Sequence, residues 1–348
     1  MSDYHRFNSL KILAHSDRLR KIADGEYPFP LDWHIYPSNQ CNHQCEWCIF
    51  IQNGEQALGG LLSLELMERA IDDAARTKAV LINFQGGGEP LVNKHTSSAM
   101  ALVNEAGIKC ALSTNGRLMT PEIASRVDYL RVSLNAASEA QHFKTNHAGR
   151  GVPDWRDIMA ALEKSIPHKR GDVGLSFAMD HNNYHEVYHF CQMAAEMDVD
   201  FVHIRPVFYY DVDLDRQVRE IMPKALELCQ QAERDFGDKV RVFAITEKFD
   251  GYWSPRSYQR CKAVLTGIVL TATGEFSVCL DRTDLRFGHE YKNGETFETI
   301  WAGEEHRKLV ESIASPGVLD ACPRCVWNKR NEIIRYVFEE DSMRLDLI

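Results

Sequence analysis

The chain has 348 residues, 44% hydrophobic and 26% charged, which suits one large catalytic core with a small appended unit. A formal charge of −10 and a pI near 5.8 speak against a nucleic-acid duplex as the main partner, and no stretch approaches the roughly 20 apolar residues of a membrane span. The polar opening, MSDYHRFNSLKILAHSD, lacks the apolar segment of a signal peptide; a cytoplasmic chain with 10 reduced cysteines is expected, and clustered thiols then point to metal rather than disulfides.

Residues 1–30 read as a helical extension, with Leu10, Ile12, Leu13, Leu19 and Ile22 partly on one face of a helix over 5–25. A β-prone run over 31–36 stops at Pro37 and delivers CNHQCEWC, which contains Cys41, Cys45 and Cys48. Structural zinc sites and ferredoxin clusters close with four ligands, whereas three thiolates spaced x3 then x2 leave one iron of a cubic cluster open. The spacing therefore reads as reactive, the alternative being a zinc site completed by a distant ligand. Residues 63–76 predict a helix that Ser63 caps, and the apolar run 79–84 a parallel strand covered on both faces. That strand ends in Gly86-Gly87-Gly88-Glu89-Pro90, where missing Cβ atoms let the backbone approach a ligand closely.

Further strands are expected over 108–114, 129–134, 173–179 and 201–207, with helices near 97–106, 121–127, 155–166 and 184–197. Alternating strands and helices argue for a parallel sheet with right-handed crossovers, whose chemistry lies beyond the carboxyl ends of the strands. Ser113, Asn115, Ser133, Asn135 and Arg205 fall at those ends and bring hydroxyl, amide and guanidinium groups. Cys110 has the opposite parity to Ser113 and is expected to face the helices, while Cys191 and Cys229 read as core residues.

CX3CX2C with Trp47 before the third cysteine, followed by GGGEP, resembles the radical S-adenosylmethionine (SAM) superfamily. The resemblance implies a partial (β/α)6 barrel over 31–240 and a [4Fe-4S] cluster on Cys41, Cys45 and Cys48 whose open iron chelates SAM. It also implies SAM contacts from Trp47, Gly87, Gly88, Glu89, Pro90, Ser113, Asn115, Ser133 and Asn135, and a flavodoxin or ferredoxin as electron donor.

Beyond a long segment over 208–260, the run GIVLTATGEFSVCL predicts a hairpin over 267–280 turning at Thr273-Gly274. Cys261, Cys279, Cys322 and Cys325 surround it, followed by a C-terminal helix over 331–348. This set resembles the twitch domain, a shortened SPASM domain, of the same superfamily, here over 241–330. It implies a small α+β unit with a second [4Fe-4S] cluster; a four-cysteine zinc site remains open on the residues alone. The spacing is also similar to that of the 2-deoxy-scyllo-inosamine dehydrogenases. The implied reaction is oxidation of a secondary alcohol in a small hydroxylated substrate, with Arg205 near the substrate hydroxyl and Tyr209 in the cavity wall. Epimerisation and peptide modification are the alternative outcomes.

Overall fold

The structure, a computed structural model, describes residues 7–147, 151–244, 256–313, 318–319, 322 and 325–339. Ten strands form one sheet: β1 Asp32–Ile35, β2 Leu81–Phe84, β3 Lys109–Thr114, β4 Tyr129–Ser133, β5 Asp172–Met179, β6 Phe201–Pro206, β7 Arg241–Ala244, β8 Gly267–Leu270, β9 Phe276–Ser277 and β10 Arg286–Phe287. Their order is β10-β9-β8-β1-β2-β3-β4-β5-β6-β7. From β8 to β7 every pairing is parallel, and the β8–β9 and β9–β10 pairings are antiparallel. The α/β class, the parallel sheet and the six strands β1–β6 are as expected, and the sheet continues beyond them. A seventh follows β6, and the first strand of the expected hairpin pairs in parallel with β1, from Asp32↔Gly267 to Ile35↔Leu270.

The helices cover the sheet for the reasons their sequences give. Helix Leu64–Arg76 buries Met67, Ala70, Ile71 and Ala74 at helical spacing, and Ser63 caps it by accepting from Leu66 N at 3.2 Å. Helix Val212–Phe236 fills much of the long segment before β7 and packs Cys229 into the core. The expected C-terminal helix is seen as Asn328–Ile333 continuing into a π-helical Ile334–Glu339; residues 340–348 lie outside the described residues. The N-terminal helix proves to be a 3-10 segment, Ser9–His15, leading into Ser16–Ala23.

The C-terminal region shares the core of the sheet. Trp33 of β1 lies 4.4 Å from the Phe297 ring and 5.8 Å from Phe276, centroid to centroid. Asp73 is fully buried in its helix and accepts from Phe297 N (2.9 Å) and the Tyr291 hydroxyl (3.0 Å). A buried carboxylate is stable there because Arg76 of the same helix pairs with it and donors from the other region complete its partners.

Candidate active site

The cysteine loop and the GGGEP turn hold each other. Gly88 N donates to Ser38 O (2.8 Å) and Glu89 N to Gln40 O (2.9 Å), which extends the β1-β2 ladder past the strand ends. The backbones are so close that a Cβ on Gly87 would meet Asn39 Oδ1 at 1.9 Å, and one on Gly88 would meet Gln40 O at 2.0 Å. These glycines are thus required first by the packing of one loop on the other. Glu89 is buried, which pushes its pKa up, and its carboxylate accepts from Leu91 N, the Thr114 hydroxyl and Asn115 N at 2.7–3.0 Å. The side chain braces the carboxyl end of β3.

A cavity of about 810 Å³ runs through the barrel interior. Cys41, Cys45, Cys48 and Trp47 line it, as do Gly86, Gly88 and Glu89, whereas Gly87 and Pro90 lie outside its lining. Ser113, Asn115, Ser133, Asn135 and Arg205 line it from the strand ends, so the topology brings these residues together. Two of the amides serve the frame as well. Asn115 Nδ2 donates to Asn42 Oδ1 (2.6 Å), and Asn135, at φ +61°, accepts from Ala178 N through Oδ1 (2.9 Å). Tyr209 does not line the cavity: it is buried and its hydroxyl donates to Asp180 Oδ2 at 3.0 Å, because the chain turns it away from the barrel after β6. Cys110 is buried outside the cavity, on the helix-facing side that strand parity assigns it.

Burial pushes the thiols of Cys41, Cys45 and Cys48 up, that of Cys41 to about 12. Thiolates at these positions require a cation, and three cysteines on one loop fit a cluster bound by three thiolates. Behind the loop, Asp154 accepts from His43 Nε2 (2.9 Å) and His147 Nε2 (2.8 Å), with His142 Nδ1 at 3.7 Å. His43 belongs to the cysteine loop, so this hub around Asp154 fixes the loop to the segment after β4. Gln44 N and Glu46 N reinforce it by donating to Asn146 O and Thr145 O.

Cys261, Cys279, Cys322 and Cys325 line a second, smaller and mostly apolar cavity. Burial pushes the Cys261, Cys279 and Cys325 thiols up, and four converging cysteines fit either a closed [4Fe-4S] cluster or zinc. Asn331 braces the site: its Oδ1 accepts from Lys262 N and Ala263 N (both 2.8 Å), and its Nδ2 donates to Cys261 Sγ (3.3 Å). Asp281, Val326 and Trp327 line both cavities and so form the wall between them. Asp281 is 6% exposed and accepts from Val326 N at 3.1 Å. Sequence reasoning missed Asp281 and Trp327, although each stands two positions after a cysteine; it also missed Tyr36, His34 and Arg131, which line the larger cavity from β1 and β4.

Residues 35–194 match the family model of the Radical SAM superfamily. These residues form a radical SAM domain. The chain is 28% identical over 160 residues to Fe-coproporphyrin III synthase of Methanosarcina barkeri, covering 44% of this chain and 38% of that protein. It is 27% identical over 175 residues to mycofactocin maturase MftC of Mycobacterium tuberculosis, covering 48% and 42%. The chain thus matches less than half the length of either relative. Streptococcus suis SuiB bound to S-adenosylmethionine has the same fold, with a TM-score of 0.62 at 15% identity over 95% of this chain and 79% of that one. A radical SAM domain uses one [4Fe-4S] cluster and SAM. No helix among the described residues is long and apolar enough to cross a membrane.

Proposed function

We propose that this radical SAM enzyme oxidises a small hydroxylated substrate by two electrons, turning a secondary alcohol into a ketone, with the four C-terminal cysteines holding an auxiliary [4Fe-4S] cluster. One observation carries the reading: a single wall, containing the buried carboxylate of Asp281, separates the substrate-sized cavity from the four-cysteine cavity. When bound, the first cluster and SAM supply hydrogen-atom abstraction, and the second cluster accepts an electron.

The residues supply the rest. The alcohol carbon gives up its hydrogen atom and one electron, and the hydroxyl proton passes to Asp281, which the Val326 amide holds facing the cavity. Arg205 reaches the same cavity from β6 and suits the substrate hydroxyl as a hydrogen-bond donor. Buried walls keep water from competing for the substrate radical.

The test is the variant Cys279→Ala in anaerobically reconstituted protein. Iron should fall from about eight to about four per chain by cluster count. Reductive SAM cleavage should persist while ketone formation disappears, and a substrate deuterated at the carbinol carbon should pass label to 5′-deoxyadenosine in the parent enzyme. Zinc in place of the second four irons, or solvent-derived hydrogen in an isomerised product, would sink the reading.

A further inference from the structure

Arg131 stands on β4 among inward-facing neighbours: β3 and β4 pair Ser113 with Arg131, and the Ser113 hydroxyl accepts from the Arg131 guanidinium at 3.0 Å. That side chain lines the large cavity. It has no carboxylate within ion-pair distance among the described residues, and its Nε is buried without a hydrogen-bond acceptor. The carboxylates that share the cavity are held elsewhere. Asp32 is paired with Arg330 (3.0 Å) and His34 (2.9 Å), Glu89 accepts three donors at the end of β3, and Asp281 is tied to Val326 N. A guanidinium taken partly out of water and left with one neutral hydroxyl is short of acceptors, and its planar fork matches a carboxylate or phosphate.

Depth separates this position from the cysteine end of the cavity. Arg131 lies two residues before Ser133 on β4, hence about 6–7 Å further from the strand's carboxyl end. Below it Phe7 lines the cavity, packed at 5.5–6.1 Å against the rings of Tyr129 and Phe201, which stack on each other outside the lining (5.3 Å, 13°). A guanidinium at this depth selects for charge at one end of a molecule that enters from the cysteine side.

We infer that Arg131 is an anion-binding, specificity-determining residue, and that the substrate carries a carboxylate or phosphate group which the guanidinium anchors in the barrel while the rest of the molecule reaches towards the cysteine loop. This inference rests on the oxidase reading for the identity of the cavity, not for the anion itself.

The experiment uses reconstituted holoenzyme saturated with SAM. Inorganic phosphate and succinate serve as separate probes, followed by calorimetry. Whichever probe matches the substrate's group should bind saturably at one site. Arg131→Gln should weaken it at least tenfold, Arg131→Lys should restore part of the loss, and exposed Arg216→Gln should change nothing. SAM affinity and the rate of reductive SAM cleavage should stay within twofold in all variants, which separates this inference from the radical reading itself. Absence of saturable binding of both probes, or equal binding by Arg131→Gln, overturns it. So does a tenfold loss of SAM affinity in Arg131→Gln, which would assign the guanidinium to the SAM carboxylate instead.

Discussion

His306 is fully buried, its ring 3.9 Å from the Trp301 ring and 4.7 Å from Phe287. Nδ1–H donates to Trp301 O at 2.7 Å, which fixes a neutral tautomer, and burial lowers the pKa to about 4. In the unfolded chain a histidine titrates near 6.5. Between those values only the unfolded state takes up the proton. Stability from this group is therefore complete above pH ~6.5 and declines as the pH falls, with roughly 3 kcal/mol at stake in total. Urea midpoints at pH 7.5 and pH 5.0 should show a larger acid-side drop for the parent than for His306→Phe, which fits the same aromatic stack. An equal drop in both would place the acid sensitivity elsewhere. Asp281 and Arg131 are the other residues of consequence, and neither announced itself in sequence. A lone Asp or Arg carries no spacing pattern, and its importance arises only when two cavities or a strand register place it.

Among elements, the turn after the short helix Ile49–Gln52, which follows the third cysteine, matters more than its length suggests. Glu55 is 3% exposed and accepts from the Arg286 guanidinium (2.6 Å), the Thr283 hydroxyl (2.7 Å) and the Asn39 amide (3.1 Å to Glu55 O, 3.4 Å to its carboxylate). One side chain thereby joins the cysteine loop to β10. Removing it in Glu55→Ala leaves the partly buried Arg286 with Glu275 as its remaining charged partner, at a cost of about 1–3 kcal/mol. A fall in thermal midpoint, with iron lost from both sites on dialysis, is the expected outcome; iron loss from a single site would show that the bridge does not couple them. Strands β1–β6 and most of their covering helices were legible because buried parallel strands are continuous apolar runs and their helices keep helical spacing; β7 and helix Val212–Phe236, inside the segment read only as long, were not. Helix Glu139–Asn146 was not legible either, since its buried residues are His142, Thr145 and Asn146, polar side chains that bond one another, Gln141 O and the end of β4. Both cysteine sets were legible from spacing alone, whereas the wall between them was not.

For the whole molecule, the sheet joins what the sequence divides. β1 lies between β2 and β8, so its two neighbours come from residues 81–84 and 267–270. The boundary at 241, natural in a reading of motifs, has no counterpart in the hydrogen-bond ladder. A chain ending at residue 260 would expose β1 along one full edge and lose the Trp33 contacts with Phe276 and Phe297. Such a truncation should elute as oligomers in size-exclusion chromatography; a stable monomer would show that the barrel closes without its distal partner.

The placement of β8 beside β1 also sets a timetable. A ribosome adding ~5–20 residues each second spends roughly 10–40 s on the ~180 residues that separate the end of β2 from β8. Throughout that interval the strand that carries the cysteine loop has one open flank, and Glu55 waits for Arg286. Iron delivered to the chain before that point would meet a half-built cradle, so the machinery that loads clusters has reason to act once β8 and Arg286 have closed over the first strand.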